Sequence, residues 1–155
     1  MINVALDALG GDYGTEPLIK GLVLALKKDK NFHAHVVGKQ EEINQFLPKK
    51  YINRVTIHEC NDYIKMNESA TEVLKRKESS AYIAIKLVKD GICDCYVSAG
   101  HSGASMSLAT LIIGRLKGVL RPPLATTMPT VNGVSLLLDV GANTDCDPKH
   151  LHQFA

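Results

Sequence analysis

The sequence predicts an α/β fold, a mostly parallel sheet with helices on both faces. Three observations carry this. Short apolar or alternating runs recur between segments with helical spacing. Polar or glycine-rich turns follow three of those runs. A single tight hairpin signal, Asn132-Gly133, breaks the strand–helix alternation near the end.

The elements follow in order. Ile2, Val4 and Leu6 alternate with Asn3, Ala5 and Asp7, the period of a strand. After the loop Leu9-Gly10-Gly11-Asp12-Tyr13-Gly14, Thr15 and Pro17 open a helix whose Leu18, Leu22, Ala25 and Leu26 keep one face to Lys28. His35 to Gly38 reads as a strand, Glu41 to Leu47 as a short helix stopped by Pro48, and Val55 to His58 as a strand. Glu72 to Lys77 is polar and basic. Ser79 to Asp90 is a helix, with Ala81, Ala84, Ile85 and Val88 on one side and Gly91 as its stop. Asp94 to Val97 is a strand, and the helix after it is expected to run to Gly118. Leu124 to Met128 and Ser135 to Leu138 pair across Asn132-Gly133. Asp147 and Pro148 are an N-cap and a first helical proline. That last helix has barely begun at Ala155, so residues 1–155 are expected to be one α/β domain forming the N-terminal part of a longer chain.

Composition narrows the class. Of 155 residues, 45% are hydrophobic and only 5% aromatic, with no Trp, so the core must be aliphatic. The net charge of +2 gives no global pull toward nucleic acid. No apolar run approaches a membrane span, and the N-terminus lacks a basic export signal. Cys60, Cys93, Cys95 and Cys146 have neither redox nor zinc spacing and read as small hydrophobes, with no metal site expected.

In open α/β sheets, ligands bind beyond the carboxyl ends of the strands. Three polar turns stand at such ends. They are Asp7 to Asp12, Ser98 to Gly103 and Asp139 to Asn143. The second offers free amides at a helix N-terminus, the hydroxyls of Ser98 and Ser102, and His101, with no acidic side chain of its own. An anion such as phosphate suits it, although a plain strand-to-helix connection has the same look. It is neither a dinucleotide fingerprint, a Walker loop nor a nucleophile elbow. Asp7 is expected to order its loop by accepting backbone N–H bonds. Asp12 and Asp139 could act as acids or bases or brace turns, and Asn143 could donate to an oxyanion or do the same. Arg76, within Lys75-Arg76-Lys77, is either a solvated charge or part of an anion clamp with Ser80. Arg115, Lys117 and Arg121 form a second basic group.

Taken in order, "DALGGDYGTEP", "RKESSAYIAIKLVKDGICDCYVSAGHSGASMSLA", "GRLKGVLRPPLA", "MPTVNG" and "LLLDVGANTDCDPKHLHQFA" resemble the bacterial phosphate acyltransferase family of phospholipid synthesis. The likeness runs over essentially the whole chain. It implies a Rossmann-like three-layer fold similar to isopropylmalate dehydrogenases and phosphotransacetylases. It implies formation of acyl phosphate from acyl-acyl-carrier protein and inorganic phosphate, without a cofactor. It also implies a cytoplasmic homodimer working at the inner membrane face, with a membrane acyltransferase as partner. Two departures stand out. Leu9 replaces the family's usual Met, and His101-Ser102 replaces its usual Asn-Thr.

On this resemblance, Gly100, His101, Ser102 and Gly103 are expected to hold phosphate. Ser98, Gly10 and Gly11 stand beside them, and Arg76 and Ser80 are weaker candidates. Asn143 is the expected oxyanion donor, with Asp12 or Asp139 orienting donors or handling a proton. Three alternatives remain. They are a phosphotransacetylase using coenzyme A, a metal- and nicotinamide-dependent hydroxy-acid dehydrogenase of related fold, and a fragment that only binds an anion or partner.

Overall fold

The computed structural model describes residues 1–68 and 73–155. Glu72, the first residue of the basic segment, lies outside them. The described chain forms two compact units, Met1–Ile113 and Gly114–Ala155.

The first unit is an α/β layer structure. Its elements are β1 (Ile2–Asp7), α1 (Thr15–Lys28), β2 (Phe32–Gly38), α2 (Gln40–Phe46), a 3-10 helix (Lys49–Arg54), β3 (Val55–Glu59), α3 (Ser80–Lys89), β4 (Cys95–Val97) and α4 (Ser102–Ile112). The strands form one parallel sheet in the order β3-β2-β1-β4. Leu6 sits between Val36 of β2 and Val97 of β4 in register.

Side chains alternate across this sheet, so each strand feeds two cores. Leu6, Ala34 and Val36 face Ile19, Leu22 and Leu26 of α1 and Ile43 of α2. Ala5 and Val37, their neighbours in sequence, face Ala84 and Leu87 of α3 on the other side. Helices therefore cover both faces. A third cluster joins α3 to α4 through Ala81, Ile85, Ala104 and Leu108. The interior is aliphatic, as the scarcity of aromatic residues requires.

Side-chain bonds fix the helix ends. Ser79 caps α3 by accepting from Tyr82 N. Thr15 Oγ1 donates to Glu42 Oε2 at 2.7 Å, which ties the start of α1 to α2. Arg54 donates to the carbonyls of Leu26, Asp29 and Phe32, closing the C-terminal end of α1 and the turn into β2. The 3-10 helix that supplies Arg54 has no clear periodicity in the sequence, and only the structure reveals it.

The second unit holds an antiparallel hairpin, β5 (Ala125–Thr130) and β6 (Gly133–Leu138), and then α5 (Pro148–Phe154). The hairpin forms its own two-stranded sheet. Asp147 caps α5 in a full capping box with His150, and Pro148 opens the helix. One boundary differs from expectation by more than three residues. α4 stops at Ile112 rather than near Gly118, because the backbone leaves the helix at Gly114 with φ 98°. Among the described residues, no helix is long and apolar enough to cross a membrane.

Candidate functional site

The strand order places the site. Chain progress runs outward from β1 to β2 and β3, then returns to the other side of β1 as β4. The connection after β1 leads to α1 on one face of the sheet, and the connection after β4 leads to α4, packed on α3 of the other face, so the two part at the carboxyl ends of neighbouring strands. Crevices at such a reversal are where open α/β sheets take their ligands. The turn after β1 and the turn after β4, separate in sequence, are the two walls of this switch point and touch each other.

Asp7 joins the walls. Its side chain is buried, with 2% exposure. Oδ1 accepts from Leu9 N at 3.2 Å and Gly10 N at 3.0 Å, the loop-ordering role its place at a strand end predicts. Oδ2 accepts from Ser98 Oγ at 2.9 Å, and Ser98 Oγ in turn accepts from Gly100 N at 3.0 Å. The packing here excludes side chains. A Cβ on Gly10 would lie 2.4 Å from Asp7 Oδ2, and one on Gly100 would lie 3.2 Å from Gly10 Cα. A Cβ on Gly11 would lie 3.4 Å from Ala99 O.

This arrangement corrects the expectation for Ser98. A hydroxyl has one hydrogen, and an ionised carboxylate can only accept, so Ser98 spends its hydrogen on Asp7. It braces the turn and has none left to donate to an anion.

His101 occupies the N-cap of α4. Its Nδ1 accepts from Ala104 N at 3.2 Å, which fixes the neutral tautomer with hydrogen on Nε2. A cap here needs a side-chain acceptor one bond beyond Cγ. Asn Oδ1 and His Nδ1 both meet that need, which accounts physically for His standing where the resembled family has Asn. Ser105 N bonds to His101 O, the first intrahelical bond. Of the four N–H groups a helix start leaves open, that of Ala104 is capped, and those of His101, Ser102 and Gly103 have no partner among the described residues. Ser102 is exposed and adds its hydroxyl, while His101 and Gly103 are partly exposed. The Nε2–H of His101 is a further donor. At this helix start the dipole also favours negative charge.

The remaining predicted residues fall elsewhere. Asp12 stands on the exposed rim of the β1 turn. Arg76 is committed to carboxylates. Its Nε and one terminal nitrogen bond both oxygens of Asp62, the other terminal nitrogen bonds Glu68 Oε2 at 2.8 Å, and Tyr63 O accepts as well. The guanidinium holds the Asp62 carboxyl below the usual aspartate range, first by hydrogen bonding. The clamp expected of Arg76 is thus an internal ion pair. Ser80 is fully buried, its backbone N bonded to Asp62 O and its Oγ sealed from solvent, so it offers nothing to a ligand.

Asp139 and Asn143 lie in the second unit. Asn143 Nδ2 donates to Asp139 Oδ1 at 2.8 Å and to Pro122 O at 3.2 Å, so both amide hydrogens are spent. The oxyanion role expected of Asn143 gives way to bracing. Asp139 is the one described non-glycine residue with positive φ, 59°, and it also accepts weakly from Cys146 Sγ. Arg121 and Arg115 fold back onto the carbonyls of Asp145 and Leu120. Among the described residues, no group of three or more His, Cys, Asp or Glu could hold a metal ion.

The family described as fatty acid synthesis protein matches residues 2–155. The chain is 57% identical over 155 residues to a phosphate acyltransferase of a Nitratiruptor species, covering 99% of this chain and 47% of the relative. It is 56% identical over 155 residues to a phosphate acyltransferase of Campylobacter hominis, with the same two coverages. A phosphate acyltransferase of Aliarcobacter butzleri is 56% identical over 156 residues, covering 100% of this chain and 47% of its own. The chain spans about half the length of the curated relatives it matches.

Proposed function

The chain belongs to the fatty acid synthesis protein family, and on that premise we propose that the full-length protein moves a long-chain acyl group from acyl-acyl-carrier protein to inorganic phosphate. The acyl phosphate formed would feed glycerophospholipid synthesis. One observation carries the reading. An exposed helix start beyond the carboxyl end of β4 keeps the N–H groups of Ser102 and Gly103 open for an anion, in a chain whose relatives are named phosphate acyltransferases.

In this reading Ser102 N, Gly103 N and Ser102 Oγ hold phosphate, and His101 Nε2–H is a fourth donor. A phosphate oxygen attacks the thioester carbonyl carbon, and the carbonyl electron pair moves onto oxygen. The tetrahedral oxyanion collapses, the carbon–sulfur bond breaks, and the thiolate leaves. With a thiol pKa of about 8.5, that thiolate takes its proton from water without a dedicated acid. The protein's work is therefore positioning phosphate and stabilising developing charge. Asp12, at the rim, is the candidate to orient donors or take a proton from phosphate. Gly10, Gly11, Ser98 and Gly100 pack the two turns that carry the site. The wider proposal includes an architecture like that of isopropylmalate dehydrogenases and phosphotransacetylases. It also includes a homodimer at the inner membrane face.

The test is product trapping. Full-length protein is incubated with long-chain acyl-acyl-carrier protein, with and without phosphate, and acyl phosphate is captured by hydroxylamine. Phosphate-dependent hydroxamate is the expected result. Product from acyl-coenzyme A alone would replace the carrier-protein donor, and no product from either would overturn the reading.

A further inference from the structure

We propose that Asp7 is the positioning residue of the phosphate turn, holding its donors in place through Ser98 without touching phosphate itself. The inference deepens the function proposed above and rests on it.

The observation is a chain of bonds from a buried carboxylate into the turn. Asp7 is 2% exposed and accepts three hydrogen bonds. Two come from its own loop, which fixes the carboxylate's plane. The third comes from Ser98, 91 residues away in sequence and in the turn after β4. An ionised carboxylate accepts only, so it dictates the direction of the Ser98 hydroxyl. With its hydrogen on Asp7, Ser98 Oγ turns a lone pair to Gly100 N. Gly100 adjoins His101, whose Nδ1 and carbonyl start α4. The carboxylate thus sets the Gly100–His101 backbone, and with it the aim of the Ser102 and Gly103 N–H groups.

The packing shows that this link is built closely. The Cβ positions of Gly10 and Gly100 both fall within 3.2 Å of atoms in the link. Any residue but glycine at Gly10 would meet Asp7 Oδ2 head on.

Asp7→Asn separates positioning from folding. The amide oxygen still accepts from Leu9 N and Gly10 N, so the loop after β1 keeps its bonds. The amide nitrogen now donates toward Ser98 Oγ, which reverses the link, removes its charge and leaves the Ser98 hydrogen without the carboxylate that fixes its direction. In the full-length protein, the apparent KM for phosphate should rise about 10-fold or more, the scale of one charged hydrogen bond. The KM for the acyl donor and the melting temperature should stay near wild type, which a merely structural defect would not produce. Ser98→Ala breaks the same link from the other wall and should give the same selective rise, so it carries the test if Asp7→Asn does not fold. The double variant should be no worse than either single one. A wild-type phosphate KM in Asp7→Asn, or additive losses in the double variant, would overturn the inference alone. A wild-type enzyme with no phosphate-dependent product would remove the functional reading and this inference together.

Discussion

His101 answers two demands with one ring. As N-cap it must accept a hydrogen bond, and Nδ1 does so. As part of an anion site it should donate, and Nε2–H can. Arg76 shows the opposite economy, since its donors are absorbed by Asp62, Glu68 and Tyr63 O. Arg76→Met should therefore leave the phosphate KM unchanged while lowering the melting temperature slightly. The pair is about one-third exposed, so its worth is that of a screened surface bridge, about 1 kcal/mol or less. The sign with pH follows from Asp62. Its carboxyl is held below the ordinary value of about 4, so the contribution is complete above that pH and lost as acid takes the solution below it. Parallel melting curves of both proteins from pH 7 to pH 3 should converge at the acid end.

At the scale of elements, the β2–β3 pairing carries a feature of its own. His35 Nδ1 lies 3.0 Å from His58 Nε2 across the strands, with the rings stacked at 5.3 Å. His33 sits edge-on to His35 and bonds Thr56 Oγ1. Burial, then the neighbouring His58 and His33, push His35 below its usual value, and burial pushes His58 down too. Both rings are thus kept neutral in the fold while the unfolded chain protonates them near about pH 6.5. Stability should be full above that pH and should fall as pH drops through the window beneath it. His35→Phe should flatten the melting-temperature slope between pH 7.5 and 5; an unchanged slope would exclude the histidine pair as its source.

At the scale of the whole molecule, the α/β layering was legible because each element states its own period. The alternation of Ile2, Val4 and Leu6, the stripe of Leu22 and Leu26, and the Asp147-Pro148 start all act locally. The helix-start donors were legible for the same reason. Strand order was not local, and the meeting of the two turns depends on it. That Asp7 and Ser98 share a hydrogen bond follows only once β4 lies beside β1, 91 residues on. The Arg76–Asp62 pair and the Asn143 brace were hidden likewise, because unpaired and paired side chains look identical in sequence. A strand-end Asp before paired glycines, with a strand-end Ser elsewhere, is the signal that could have suggested the link.

The central claim is that the start of α4 binds the attacking phosphate. Its most direct test is the phosphate dependence of acyl phosphate formation by the full-length protein carrying Ser102→Ala and Gly103→Val. Losing a hydroxyl donor and crowding an open N–H should raise the phosphate KM by about 10-fold or more, with the acyl-donor KM unchanged. A phosphate KM equal to that of the unsubstituted protein would contradict the account and move the anion site away from this turn.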